Sequence, residues 1–205
     1  MKIVKNYVDG QWVTPENNSY LDVENPSTGE IIGQTLLSTV AEANRAINVA
    51  AEAFKTWSQT PVARRVQSLY QLDTLLRKNE EKIARTLVEE MGKSLPDAQA
   101  EMKLIFENIE VACNVSVLQQ GDKLIGASYK IDGEVIRLPL GVFAMIAPFN
   151  FPAMVPFWFL PYAIATGNTY VVKASEQVPL TMQLITEYID QIGLPKRGFQ
   201  SCQWR

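Results

Sequence analysis

The sequence predicts an α/β fold in which a parallel sheet of the nucleotide-binding type occupies the second half of the chain. Two apolar runs, 142–147 and 169–173, have the length of buried strands, and a helical pattern follows each of them. The resulting order is β-α-β-α. Because both runs are continuously apolar rather than alternating, they indicate parallel strands that are covered on both faces.

The sequence of the first part of the chain predicts strands and helices that contribute to the core, without candidate catalytic residues. In order they are a hairpin turning at 9–10, a strand pair turning at 26–29, and helices at 40–57, 61–76, 80–91 and 94–120. Thr39 and Glu42 have the spacing of a capping box at the start of the first helix. Apolar residues at intervals of three and four between Val62 and Leu76 give the second helix one apolar face. We interpret these faces as core.

A third hairpin is predicted between the helices and the parallel sheet. Asp132-Gly133 stands between two strand-like runs, and this dipeptide favours the tight turns of two-residue hairpins. A hairpin in this position leaves a strand edge that needs cover. We therefore expect residues 123–140 to pair with another subunit.

The segment 138–172 contains no Asp, Glu, Lys or Arg, so hydropathy alone would nominate a membrane-spanning helix. Four prolines between residues 148 and 161 argue against one straight helix, since each lacks an amide donor. The favoured interpretation places a Pro-Phe-Asn-Phe-Pro turn after the first buried strand, then an apolar helix at 152–166 that Gly167 ends. A helix at 179–192 follows the second strand.

Composition and charge exclude several classes of function. A net charge of −3 and a pI near 5.2 provide no basic stripe for a phosphate backbone, so nucleic acid is not an expected partner. Histidine is absent and the two cysteines, Cys113 and Cys202, lie far apart, so no metal site is expected. Two reduced thiols, and an amino-terminal stretch without the apolar core of a signal peptide, favour the cytoplasm.

Three side chains at the ends of the predicted strands are candidates for chemistry. Asn150 follows the first strand between two prolines, where ligands bind in open α/β sheets, and its amide could donate to a developing oxyanion. Lys173 and Glu176 follow the second strand, where a cation and a carboxylate could hold a ribose by its hydroxyls. The alternatives are a turn-forming asparagine and a solvated loop pair. The sequence contains neither GxGxxG nor GxxxxGK.

A long run of the chain resembles a known family. The run PLGVFAMIAPFNFPAMVPFWFLPYAIATGNTYVVKASEQVPLT is similar to the aldehyde dehydrogenase superfamily, and YVDGQWV, NPSTGE and EEMGKSLPDA resemble its amino-terminal region in the same order. The resemblance extends to Lys196. Phe149, where many members have Trp, and the following AMVP resemble the methylmalonate-semialdehyde dehydrogenases, the branch that transfers the acyl group to coenzyme A.

The resemblance implies the amino-terminal part of the aldehyde dehydrogenase fold, a Rossmann-like parallel sheet with helical layers and an oligomerisation hairpin. It implies Asn150 as the oxyanion donor, with Lys173 and Glu176 at the adenosine ribose of NAD. The backbone positions that it implies for the cofactor lining are Ile146, Ala147 and Phe149.

The resemblance also implies a reaction. In the family a cysteine thiolate attacks the aldehyde, hydride passes to the nicotinamide, and water or coenzyme A releases the acyl group. The expected substrate is a small aldehyde or semialdehyde, and the intact enzyme is expected to be a homo-oligomer.

Three positions depart from the methylmalonate-semialdehyde branch. Leu104 and Gln177 stand where that branch has arginine, and Ala174 stands where it has proline. Leucine and glutamine cannot replace an arginine that binds a carboxylate or a coenzyme A phosphate. The resemblance therefore leaves the substrate and the acyl acceptor open.

The chain is expected to end before the family's nucleophilic cysteine, its general-base glutamate and its glycine-rich pyrophosphate segment. Cys113 falls on the periodicity of the fourth helix and is interpreted as core, and Cys202 lies in the tail RGFQSCQWR. After GLPK the resemblance predicts a different strand, and one choice of codons for Arg197 to Trp204 yields that strand when its first base is skipped. We interpret the tail as a frameshift product.

Residues 1–205 are thus predicted to form a partial NAD-binding domain without a catalytic domain. The predicted function is that of an NAD-dependent aldehyde or semialdehyde dehydrogenase that is truncated before its cysteine and inactive alone. The alternative is a standalone nucleotide-binding or interaction module built from the same half-domain, which independent folding with NAD affinity would favour.

Overall fold

The structure of the protein is a computed structural model that describes residues 2–16, 19–195 and 197–203. Lys196, where the resemblance ends, and Trp204, the last residue of the interpreted frameshift, lie outside these ranges. The elements in chain order are β1 Lys2–Val4, β2 Asn6–Val8, β3 Gln11–Val13, β4 Tyr20–Glu24, β5 Ile31–Leu36, α1 Val40–Trp57, α2 Val62–Lys78, α3 Glu80–Met91, α4 Leu95–Cys113, α5 Val115–Leu118, β6 Lys123–Ser128, β7 Ile131–Glu134, β8 Val142–Ile146, α6 Met154–Phe157, α7 Leu160–Ala165, β9 Thr169–Lys173, α8 Leu180–Ile189 and β10 Phe199–Cys202.

The largest sheet has five strands in the order β3-β2-β10-β9-β8. Strands β8, β9 and β10 run parallel, which confirms the predicted parallel sheet. Strand β10 comes from the tail, at the place where the resemblance predicts a strand. Every residue of β9 is buried between its two neighbours. The sequence also predicts that β8 is buried, and this prediction is wrong. In the described sheet β8 is an outer strand, with a neighbour on one side, and its residue Ile146 is 69% exposed.

Helices cover both faces of the parallel strands, as the continuous apolar runs predict. On one face, Val171 of β9 packs with Ala46 and Ala50 of α1. On the other face, Tyr170 and Val172 belong to the main core, which is built largely from helices α2, α3, α4, α6, α7 and α8. The sheet is therefore a central layer between helices.

In the amino-terminal region, the predicted tight turn, capping box and helix end are all present in the structure. Asp9 and Gly10 both have positive φ, 59° and 70°, as a tight turn between β2 and β3 requires. The capping box is complete, because the Thr39 N–H donates to Glu42 Oε2 at 2.7 Å and the Glu42 N–H donates to Thr39 Oγ1 at 3.3 Å. Helix α3 ends at Gly92, whose φ is 77°.

Two predicted helices are interrupted. The helix predicted at 94–120 breaks at Asn114, whose side-chain amide donates to the Glu110 carbonyl at 3.0 Å and competes with the helical backbone. The helix predicted at 152–166 is divided into α6 and α7, because Pro161 lies in the first turn of α7 and has no N–H to continue the α6 ladder. Within the described ranges, no helix is long and apolar enough to cross a bilayer.

The third hairpin forms, but the turn predicted at 132–133 is wrong. Strands β6 and β7 turn at 129–130, and Lys130 takes a φ of 61°. The pairing is irregular between Leu124 and Ser128, and within this stretch the Asp132 carboxylate accepts the Gly126 N–H at 2.9 Å. Asp132 thus acts as a cross-strand acceptor rather than as a turn residue.

Gly167 ends α7 with a φ of 89°, which confirms the predicted stop. A Cβ at this position would lie 2.9 Å from Nη1 of Arg65. The Arg65 guanidinium is buried and donates to the carbonyls of Ala165, at 2.8 Å, and Thr60, at 2.6 Å. Burial lowers the pKa of Arg65. This arginine joins α2 to the turn that precedes β9.

Glu90 joins α3 to the start of α8. Its carboxylate accepts the N–H groups of Leu180, at 2.6 Å, and Thr181, at 2.9 Å. These are orphan donors of the first turn of α8, where Pro179 supplies no side-chain cap. Burial raises the pKa of Glu90 to about 7, although the N–H groups act in the opposite direction. The contact fixes the loop between β9 and α8.

Candidate functional site

The predicted site residues lie at one edge of the sheet, where β8 and β9 end. Ile146 and Lys173 are Cα partners and the last residues of their strands. The Ala147 N–H donates to the Lys173 carbonyl at 2.9 Å, so the ladder continues one residue further. Phe149 and Asn150 follow in the turn before α6. Open α/β sheets bind ligands at this edge, and the roles of these residues there stay predictions.

Lys173 and Glu176 interact directly. The Lys173 ammonium forms an ion pair with Glu176 Oε2, and the two side chains are 10% and 30% exposed. A solvated loop pair does not describe this arrangement, because the lysine side chain is almost completely covered. Lys173 is the last residue of strand β9, and Glu176 lies in the loop between β9 and α8, so the ion pair spans the end of this strand.

Asn150 is exposed in the turn after β8. Its carbonyl accepts a hydrogen bond from Lys93 Nζ at 3.3 Å. Its side-chain amide makes no hydrogen bond to any residue in the described ranges. A turn-forming asparagine would use that amide on the nearby backbone, so this alternative finds no support in the turn.

The turn that contains Asn150 is held by Lys93 and Glu101, which the sequence reasoning missed. Glu101, on α4, is completely buried and accepts the N–H groups of Ala153 at 3.0 Å and Met154 at 2.9 Å. Its second oxygen pairs with the Lys93 ammonium. A signal existed, because Glu101 lies on the buried face of an otherwise apolar helical stripe. A glutamate in such a position needs a partner.

Neither cysteine is suited to nucleophilic attack. Burial raises the pKa of Cys113 to about 11, and the carboxylates of Asp73 and Glu110 add to this. Burial also raises the pKa of Cys202 to about 12, with a further contribution from Glu42. Because the thiolate is the nucleophilic form, both side chains are held in their unreactive state near neutral pH. Cys113 packs against the main core, as its helical periodicity predicts.

Comparison with known proteins assigns the family. The sequence pattern of the "Aldehyde dehydrogenase family" matches residues 12–203. The chain belongs to the aldehyde dehydrogenase family. Over 196 residues it is 42% identical to the malonate-semialdehyde dehydrogenase of Listeria monocytogenes serotype 4a, and the match covers 96% of this chain and 40% of that relative. The resemblance found in the sequence is therefore confirmed, together with its semialdehyde-type relatives.

Solved structures of the family confirm the fold. The methylmalonate-semialdehyde dehydrogenase of Oceanimonas doudoroffii gives a TM-score of 0.95 at 36% identity, over 100% of this chain and 42% of that chain. A Sinorhizobium meliloti protein described as a methylmalonate-semialdehyde dehydrogenase, complexed with NAD, gives 0.95 at 31% identity with the same coverage. The chain thus spans about 40% of the length of the relatives that it matches.

Proposed function

We propose that this chain is the NAD-binding, amino-terminal part of an aldehyde or semialdehyde dehydrogenase, in which Asn150 donates to the developing oxyanion. The observation that carries the proposal is the Asn150 amide at the carboxyl-terminal edge of the sheet, exposed and without a hydrogen-bond partner among the described residues. One preorganised amide donor typically contributes about 3 kcal/mol to transition-state stabilisation. The family match over residues 12–203 supports this reaction class.

The proposed cofactor is NAD, which supplies the hydride acceptor. Lys173 and Glu176 would hold the adenosine ribose, since their ammonium and carboxylate form a covered pair at the sheet edge. Backbone groups of Ile146, Ala147 and Phe149 would line the cofactor, because Ile146 and Ala147 pair with Lys173 and Phe149 follows them in the turn after β8.

The proposed substrate is a small aldehyde or semialdehyde, and coenzyme A is a second acyl acceptor besides water. Leu104, 42% exposed, and Gln177, also exposed, supply no cation for a carboxylate or a phosphate. If coenzyme A is used, its phosphates must find their cations on other residues.

We further propose that this chain alone does not oxidise aldehydes. A covalent hemiacetal requires a thiolate, and burial keeps the thiols of Cys113 and Cys202 protonated. The Asn150 amide can stabilise an oxyanion but cannot form one. Both thiols are free, which fits the cytoplasm that we propose as the location.

The test compares the chain as given with a joined enzyme, in which residues 1–195 continue into the remaining part of the Listeria relative. NADH formation is followed with small aldehydes, with and without coenzyme A. We expect turnover from the joined enzyme only. We also expect kcat/KM to be roughly tenfold higher with NAD than with NADP, since Glu176 would meet a 2′-phosphate of like charge.

Each arm can contradict one part of the proposal. Turnover by the 205-residue chain would show that it carries a nucleophile that the structure does not reveal. Equal or better use of NADP would remove Glu176 from the ribose. A joined enzyme that folds, contains the relative's cysteine and still oxidises no aldehyde would contradict the reaction class.

We propose residues 123–140 as an oligomerisation hairpin. All of β6 is exposed, and large apolar side chains of the segment stand in solvent, with Ile125 76% and Leu140 86% exposed. An exposed apolar surface of this kind marks a contact site.

In sedimentation velocity the chain should run as more than a monomer, and Ile125→Lys should shift it towards the monomer. Val40→Lys, at a site 78% exposed outside the hairpin, should not. A compact monomer of the unsubstituted chain would contradict this.

A further inference from the structure

We propose that Lys93 and Glu101 are positioning residues for Asn150: their ion pair fixes the turn 150–154 and thereby the direction of the Asn150 amide. This inference rests on the proposed function, in which that amide is the oxyanion donor. Both residues are far from the strand ends in sequence. Lys93 reaches the turn from the connection between α3 and α4, and Glu101 reaches it from α4.

Glu101 holds the far end of the turn. One carboxylate oxygen, Oε1, accepts the N–H groups of both Ala153 and Met154, while Oε2 binds the Lys93 ammonium. Its side chain has no exposed surface. A buried carboxylate is costly unless its oxygens are satisfied, so the position of the Ala153–Met154 backbone and the position of Lys93 depend on the same group.

Lys93 holds the near end of the turn. Its Nζ donates to the Asn150 carbonyl at 3.3 Å and lies 4.8 Å from the centroid of the Phe151 ring. The lysine side chain is 7% exposed. Lys93 therefore contacts the residue that carries the amide and the residue after it, and Glu101 connects these contacts to the start of α6.

The arrangement holds the backbone on both sides of the Asn150 side chain, for which no hydrogen-bond partner is found among the described residues. Every contact is made to the backbone or ring beside Asn150, so the amide itself stays available. Preorganised donors act only when they are held close to the productive geometry, and a displacement of about 1 Å can cost 100-fold in rate. A loss of the ion pair should thus affect catalysis through the turn, without any contact of Lys93 or Glu101 with substrate.

The first measurement is hydrogen exchange on the 205-residue chain, which requires no activity. In Lys93→Met and in Glu101→Gln, we expect the amides of Ala153 and Met154, which donate to Glu101, to exchange at least about tenfold faster, while amides of 170–172 in β9 keep their rates. Lys93→Arg keeps the charge and should keep the protection. Arg85→Met removes a charge from an exposed pair with Glu81 and serves as the matched control.

The second measurement is made in the joined enzyme. Lys93→Met should lower kcat by roughly 10- to 100-fold with little change in KM for NAD, and Lys93→Arg should recover most of the loss. A variant that loses β9 protection as well has unfolded globally, and this outcome would contradict a local role.

The two measurements separate this inference from the function on which it rests. Unchanged exchange at the amides of Ala153 and Met154 in Lys93→Met would overturn the inference whatever the activity. So would an unchanged kcat in Lys93→Met alongside a strong loss in Asn150→Ala. Faster exchange together with an unaffected Asn150→Ala enzyme would uphold the ion pair's hold on the turn and reject the oxyanion role instead.

Discussion

In the joined enzyme, Asn150→Ala is expected to lower kcat by roughly two to three orders of magnitude, the usual loss for one oxyanion donor. The substitution removes a side chain that is exposed and makes no hydrogen bond to the described part of the protein, so the fold should not suffer. The measurement is steady-state NADH formation at saturating NAD, with the melting temperature of each variant as a check on folding.

Two variants make this result specific. Asn150→Asp keeps the size of the side chain but supplies no N–H donor at neutral pH, so it should lose about as much activity as alanine. Asn48→Ala removes an exposed amide on α1, away from the sheet edge, and should leave kcat unchanged. A loss below about tenfold for both Asn150 variants would return this residue to a turn-forming role.

Gly167→Ala is expected to lower the free energy of unfolding by about 2 to 4 kcal/mol. The φ of 89° is strained for any residue with a Cβ, which costs of order 1 to 3 kcal/mol. The new Cβ would also lie 3.1 Å from Pro139 Cγ and 2.9 Å from Nη1 of Arg65, which is buried and hydrogen-bonded to two carbonyls. Thermal unfolding followed by circular dichroism should show a melting temperature lowered by roughly 5 to 15 °C.

The matched control is Gly126→Ala. Gly126 also has a positive φ, 69°, but a Cβ there would meet no atom within 4 Å. This variant carries the backbone strain without the steric contact, so it should lose only about 1 kcal/mol. Equal losses in the two variants would mean that Arg65 and Pro139 make room for the methyl group, and that packing around the end of α7 is loose.

Elements specified by neighbouring residues could be predicted from the sequence. The Asp9-Gly10 turn and the capping box of Thr39 and Glu42 need only residues that are close in the chain. The continuous apolar runs of β8 and β9 likewise report a sheet with covered faces, whatever the rest of the fold. The comparison of β8 with β9 shows the limit of this signal, because composition cannot tell which strand is the outer one.

The features that were missed depend on contacts from elsewhere or on competition between local signals. In the third hairpin, Asp132-Gly133 is a good turn sequence, yet the register that lets Asp132 accept the Gly126 N–H places the turn at 129–130. In the apolar segment, the helix predicted at 152–166 includes Pro161, whereas in the structure this proline lies in the first turn of a new helix. Each local signal was genuine, and another interaction outweighed it.

The site residues also fall into two groups, those that the sequence identifies and those that only the structure connects to the site. Asn150, Lys173 and Glu176 could be nominated because each follows a strand end, a position that the sequence marks. Lys93 and Glu101 could not be assigned to the turn, because their contacts with it span 57 residues from Lys93 to Asn150 and 52 from Glu101 to Ala153. A buried glutamate can be suspected from helical periodicity, but only the structure identifies its partners.

The pairing of β2 with β10 brings together parts of the chain that are made at very different times. The Asp9 N–H donates to Gln200 Oε1 at 2.8 Å, and the Gln203 N–H donates to Asn6 Oδ1 at 3.0 Å, across 191 and 197 residues of sequence. During synthesis, the β2–β3 hairpin therefore has no further sheet neighbour until β10 has left the ribosome, whereas α1 to α4 already have their own contacts. Closure of the sheet is the least local step of folding and should be the slowest. Until it occurs, the nascent chain needs protection of its exposed strand edges, because β9 is then covered on one side only.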